Sequence, residues 1–255
     1  MAYLEVNKIS IRFGGLTAID KFDFKVEKGQ IVSIIGPNGA GKTTVFNILS
    51  GIYRAAEGEI TFDGRNLKDK SPQEIVSLGM ARTFQNIRLF YDMRVIENVL
   101  IGTHIRTGYR FLDGLFRTKR FHLEEGEKIR YAADLLKTVG LEKRIHDYAD
   151  NLPYGEQRKL EIARAIATGA RLLLLDEPAA GMNPQESEEL RQFILQLKNQ
   201  GYTILLIEHD MNVVMNLSDY IYVLDYGKKI AEGKPQEILE NQQVVAAYLG
   251  EGEVE

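Results

Sequence analysis

A chain of 255 residues, 44% hydrophobic and 27% charged, has the make-up of a globular protein with one large domain or one domain carrying an inserted subdomain. Its net charge of −4 argues against a nucleic-acid partner, which would call for a basic stripe. With no cysteine it can form neither a disulfide framework nor a thiolate metal site, and its longest apolar runs, Leu172 to Leu175 and Ile204 to Ile207, fall far short of the ~20 residues of a membrane-spanning helix.

In chain order, Met1-Ala2-Tyr3-Leu4-Glu5 lacks the basic start and apolar centre of a secretory signal, so any work at a membrane is expected to go through a partner. Leu4 to Phe13 and Phe22 to Val26 alternate apolar and polar residues, the period of half-buried strands. Ile31 to Ile35 is a short apolar run, as in a parallel strand buried on both faces. It leads directly into Gly36-Pro37-Asn38-Gly39-Ala40-Gly41-Lys42-Thr43-Thr44, which fits G-x-x-x-x-G-K-[ST] between a predicted strand and a predicted helix. Glycines let backbone N–H groups curl around phosphate oxygens, and the helix from Lys42 turns its positive end to the same anion. In such a loop Lys42 reaches the β- and γ-phosphates and the Thr43 hydroxyl holds Mg²⁺, so a nucleoside triphosphate is the expected ligand.

Further along, Glu59 to Phe62 reads as a strand entering the Asp63-Gly64 turn, and Ala81 to Phe84 as a strand with Gln85 just beyond it. From Val95 to Leu141 helical periodicity dominates, with Tyr131, Leu135 and Leu136 assigned to one face. Residues 86–165 are expected to form a helical insertion in the α/β core. A basic, aromatic-interleaved stretch (Arg106, Tyr109, Arg110, Phe111, Phe116, Arg117, Lys119, Arg120, Phe121) suits either a solvated helical surface or docking to a membrane subunit or anionic headgroups. Leu172 to Leu175 then ends in Asp176-Glu177-Pro178: an apolar strand closing on an acid is how a P-loop fold completes its Mg²⁺ site, at Asp176. Glu177, one step on, can aim at the γ-phosphate side and accept a proton from attacking water. Thr203 to Ile207 and Tyr220 to Leu224 are two more strands, separated by a short helix from Met211 to Leu217, with His209 after the first. His104, His122 and His146 show no metal spacing, and the acidic tail Glu251 to Glu255 is expected to be mobile.

The phosphate loop, Gln85, a signature-like segment, Asp176-Glu177 and His209 stand in the order of the ATP-binding subunit of an ABC transporter, which the chain resembles over essentially its whole length. Within that family, Ile11-Arg12-Phe13-Gly14-Gly15-Leu16, Gly79 to Gln85, Asn151 to Arg158, Asp176 to Pro184 and the ending Ala247-Tyr248-Leu249-Gly250-Glu251 resemble the branched-chain amino-acid importer ATPases. The resemblance implies a P-loop ABC ATPase fold, with a RecA-like α/β core, an antiparallel β layer near the adenine and an inserted helical subdomain, binding ATP and Mg²⁺. It places Phe13 against adenine, residues 36–44 around the phosphates, and Thr43, Gln85 and Asp176 around Mg²⁺. It gives Glu177 the general-base role, and has His209 bond the γ-phosphate and Gln85 contact the metal or the attacking water. Gly155 and Glu156 of the signature would face a nucleotide held by a second ATPase.

The implied partners are membrane permease subunits, a companion ATPase and, indirectly, an extracytoplasmic binding protein, with the chain on the cytoplasmic face of the cell membrane. An exporter ATPase is the nearer rival. A soluble ABC protein of DNA repair or translation would bring tandem cassettes or a long coiled-coil insertion, and neither pattern is in the sequence. Two departures matter. The usual Leu-Ser-Gly-Gly-Gln is here Leu152-Pro153-Tyr154-Gly155-Glu156, so a hydroxyl and a glycine are lost, and Asn183 stands where the family often has aspartate.

Overall fold

Strands buried along their whole length run through the middle of the molecule, and strands that alternate between buried and exposed residues lie in an outer layer. The computed structural model describes residues 2–106 and 118–249. The outer layer is a four-stranded antiparallel sheet of β1 (Leu4–Phe13), β2 (Leu16–Val26), β4 (Glu57–Phe62) and β5 (Arg65–Asn66), in the order β2-β1-β4-β5. The central sheet contains β3 (Ile31–Ile35), β6 (Met80–Arg82), β7 (Leu172–Asp176), β8 (Thr203–Ile207), β9 (Tyr220–Asp225) and β10 (Lys228–Gly233). Its order is β10-β9-β3-β8-β7-β6, parallel throughout except for the antiparallel β9–β10 edge.

β3, β7 and β8 are buried at every residue. Alternation divides their side chains between two cores. Leu173, Leu175, Ile204 and Leu206 face the helices, whereas Leu172, Leu174, Leu205 and Ile207 meet Phe46 and, from the outer sheet, Phe22, Phe24 and Phe62. Each fully buried Leu or Ile contributes about 1.5–3 kcal/mol, so these strands anchor both cores at once. Phe46 belongs to α1 (Lys42–Leu49), which follows β3 through the phosphate loop.

Within residues 86–165 the described α-helices are α3 (Val95–Thr103), α4 (Lys119–Thr138) and the greater part of α5 (Tyr154–Ala167), which share one core through Val99, Leu136 and Leu160. The remaining α-helices among the described residues are α2 (Pro72–Leu78), α6 (Pro184–Asn199), α7 (Met211–Leu217), α8 (Pro235–Leu239) and α9 (Gln242–Leu249).

Some boundaries differ from the sequence reading. β2 begins at Leu16 rather than near Phe22: Phe13 pairs with Leu16 across Gly14-Gly15, and irregular register along β1 hides the alternation. The strand expected from Ala81 to Phe84 stops at Arg82. Thr83 N–H still donates to the Leu174 carbonyl, but the carbonyls of Phe84 and Gln85 are taken by the Arg158 side chain. On α4, Leu135 and Leu136 are buried with Ala132, while Tyr131 is exposed at 37% and so leaves the face assigned to it. Tyr109, Arg110, Phe111, Phe116 and Arg117 of the basic stretch, and the acidic tail, lie outside the described residues.

Candidate nucleotide site

The phosphate loop turns from the end of β3 into α1. Gly36, at φ 150°, lies so close to β9 that a Cβ there would stand 1.9 Å from the Leu224 carbonyl oxygen. Gly41 caps α1 at φ 107°. Lys42 is buried, and its ammonium donates to the carbonyls of Gly36 (2.6 Å) and Pro37 (2.8 Å), lying inside the curve of its own loop. Asn38, Gly39 and Thr43 are exposed, Thr44 is half-buried, and Pro37 and Ala40 are buried. The loop thus exposes its tip and the first hydroxyl of α1, while its base is anchored in the sheet.

Parallel pairing of β7 with β8 sets Asp176 beside Ile207, so the residues that follow emerge side by side at the C-terminal edge. Glu177 N–H donates to the Ile207 carbonyl at 2.9 Å. Its carboxylate accepts from the Gln85 amide at 2.7 Å and stands 3.6 Å from His209 Nδ1. The three residues expected to carry catalysis are therefore brought together from three separate strand ends. Glu177 has φ 45°, a left-handed conformation unusual for a non-glycine residue.

Asp176 has a partner that the sequence reading missed. Arg82 Nη2 meets its Oδ2 at 2.7 Å, both side chains being 5% exposed. The same guanidinium donates to Asn47 Oδ1 (2.7 Å) and Ser50 Oγ (3.2 Å) and lies against the rings of Phe46 and Phe84. The available signal was an arginine in a short strand otherwise built for the interior, where a charge must be paired. Arg82 engages one carboxylate oxygen of Asp176. Asp176, Thr43 and Gln85 each carry a hard oxygen donor of the kind Mg²⁺ takes, so the residue types fit an ion bound by one carboxylate and substrate phosphates. Among the described residues no three His, Cys, Asp or Glu side chains gather as a metal site.

Two further buried groups were not foreseen. Arg158 of α5, fully buried, donates to the carbonyls of Phe84 (2.7 Å) and Gln85 (2.8 Å) and to Glu161 Oε2 (2.8 Å). Glu208, 1% exposed, accepts from Ala179 N–H at 2.8 Å and from His209 N–H at 3.2 Å. Burial pushes its carboxyl pKa up, against the pull of these backbone donors.

Phe13, 44% exposed, meets the Tyr53 ring edge-on at 5.2 Å, so the expected adenine platform has a second aromatic at its side. In the signature-like segment Pro153 is the N-cap of α5 and offers no side-chain cap. Gly155 lies in the first turn, and Glu156 pairs with Arg144 at 3.1 Å. Asn183 caps α6 by accepting from the N–H groups of Gln185 and Glu186, a role aspartate fills equally well. His104, His122 and His146 are exposed.

A family model described as ABC transporter matches residues 19–180, most of the chain. The chain belongs to the ABC transporter ATP-binding family. A second model, described as branched-chain amino acid ATP-binding cassette transporter, matches residues 228–254 of this ABC ATPase. It is 47% identical over 97% of its length to the high-affinity branched-chain amino acid transport ATP-binding protein BraF of Pseudomonas aeruginosa, covering 98% of that protein. It is 46% identical to LivG of Escherichia coli, of the same description, over 97% of this chain and 98% of that one. A solved nucleotide-free ATP-binding cassette from an ABC transporter superimposes with a TM-score of 0.85 at 35% identity, over 97% of this chain and 99% of the other. A cassette in its ADP conformation gives 0.86 at 35% identity, over 98% and 99%. The P-loop α/β fold read from the sequence is that of the family.

Proposed function

We propose that this ABC ATPase powers the import of branched-chain or related hydrophobic amino acids through membrane permease subunits. The observation that carries the reading is its 47% identity, over 97% of its length, to a branched-chain amino acid transport ATP-binding protein. No helix among the described residues is long and apolar enough to cross a membrane. The relatives' description as transport ATP-binding proteins supports placing the chain at the cytoplasmic face, attached through the permease, with an extracytoplasmic binding protein delivering the cargo.

In the proposed hydrolysis, the Lys42 ammonium exchanges its two loop carbonyls for β- and γ-phosphate oxygens. Phe13 stacks on adenine, and residues 36–44 line the phosphates. Thr43, Asp176 and Gln85 are the residues that would hold Mg²⁺, which would supply neutralisation of the phosphate charge. Water attacks the γ-phosphorus, the bond to the β–γ bridging oxygen breaks, and the proton of the water passes to Glu177, a step worth about 10²–10⁴ in rate. Gln85 and His209, both against the Glu177 carboxylate, orient that water, and His209 donates to the γ-phosphate.

Two ATP molecules are sandwiched between phosphate loops and opposing signatures. Pro153 supplies neither hydroxyl nor N–H, so we assign the second position to a companion ATPase with a more complete signature, giving a heterodimer with unequal sites. The test is Glu177→Gln in the transporter reconstituted in vesicles, with uptake of labelled leucine, isoleucine and valine measured alongside ATP binding. Uptake and turnover should fall by about 10²–10³ with nucleotide binding kept. Uptake undiminished in the variant, or wild-type vesicles that take up no such amino acid, would refute the reading.

A further inference from the structure

Glu177 holds a left-handed backbone conformation at φ 45°. For a residue with a side chain this costs of order 1–3 kcal/mol and persists only where the surroundings over-determine it. The surroundings here are two side chains outside the set discussed for catalysis. Glu177 opens a tight turn in which Ala180 N–H returns to the Glu177 carbonyl at 3.2 Å. On one side of the turn, Glu208 takes the Ala179 N–H at 2.8 Å from a position 1% exposed. On the other, the Tyr154 hydroxyl donates to the Ala180 carbonyl at 3.0 Å. The same hydroxyl is reached by Arg158 Nη2 at 3.4 Å, and that nitrogen also holds the Gln85 carbonyl at 2.8 Å.

We propose that Tyr154 and Glu208 are positioning residues for Glu177, clamping the Ala179-Ala180 turn from opposite sides so that the carboxylate stays aimed beside Gln85 and His209. Glu208 grips from the core sheet, at the end of β8, and Tyr154 grips from the first turn of α5. Tyr154 stands in the signature-like segment, where the usual residue is glycine, and its hydroxyl links that segment to the hydrolytic carboxylate of the same chain. The proposal rests on the reading of Glu177 as the base.

The test uses the full chain in its assembly purified from host membranes, with single-turnover MgATP hydrolysis, equilibrium nucleotide binding and thermal unfolding measured on each variant. Tyr154→Phe removes one oxygen from a partly exposed ring and should slow the chemical step about 3–10-fold, and Glu208→Gln about 10–100-fold, with nucleotide affinity within twofold of wild type. The deciding readout is the Glu177→Gln background. With the base gone there is nothing left to aim, so Tyr154→Phe should cause no further loss, whereas a merely structural hydroxyl would lower residual turnover there too. A near-normal rate for Glu177→Gln alone would overturn the base assignment itself. Loss in Glu177→Gln together with a Tyr154→Phe rate within twofold of wild type, or equal losses in both backgrounds, would overturn the positioning role. If Glu208→Gln does not fold, Tyr154→Phe decides.

Discussion

Arg158 has no exposed surface, and its ion pair with Glu161, 2% exposed, is dry. Replacing it by methionine keeps most of the volume but takes away the ion-pair partner of the Glu161 carboxylate, leaving it the Arg88 N–H at 3.1 Å and the charge of the neighbouring Arg164. Breaking one partner of a buried pair costs about 3–5 kcal/mol, and the Phe84 carbonyl, which also loses its donor, adds ~1 kcal/mol or more. Against a total stability of about 5–15 kcal/mol, Arg158→Met should leave the protein marginal. Adding Glu161→Leu removes the Glu161 charge, and the double variant should recover to within about 1–2 kcal/mol of wild type. Turnover should not recover with it, because the Gln85 carbonyl still lacks its anchor. Urea unfolding of the four proteins of this cycle, compared at constant slope, measures the stabilities, and ATP hydrolysis on the same samples measures the second effect. A cost below about 1 kcal/mol for Arg158→Met, or a double variant no more stable than the single, would refute the reasoning.

Gly36→Ala sets a Cβ 1.9 Å from the Leu224 oxygen and should abolish nucleotide binding, measured by titration with a fluorescent ATP analogue. Gly39→Ala, at φ 75° with no atom within 4 Å, should bind and cost about 1–2 kcal/mol in unfolding experiments. Phe13→Ala should weaken ATP about 5–100-fold, the worth of one base–aromatic stack, while leaving inorganic tripolyphosphate unaffected in the same calorimetric titration. Equal losses for both ligands would place Phe13 in the fold and not against the base.

Local pattern was enough wherever a residue's role depends on its neighbours in the chain. The run Ile31 to Ile35 followed by the glycine loop, and the run Leu172 to Leu175 closing on Asp176-Glu177, are strands and strand ends in the structure as in the sequence, because burial on both faces leaves an unbroken apolar signature. The gathering of Gln85, Glu177 and His209 was expected only through family resemblance. It is realised by the order of strands in the central sheet, which sets their C-terminal ends side by side.

The partners of Arg82, Arg158, Glu208 and the Tyr154 hydroxyl were beyond local pattern. Each of these four residues takes its partner from 94, 74, 29 or 26 residues away. Sequence periodicity records which side of an element faces the interior. It holds no record of which distant carbonyl or carboxylate will be there, and in a dry interior that meeting decides whether a charge is paired or costs several kcal/mol.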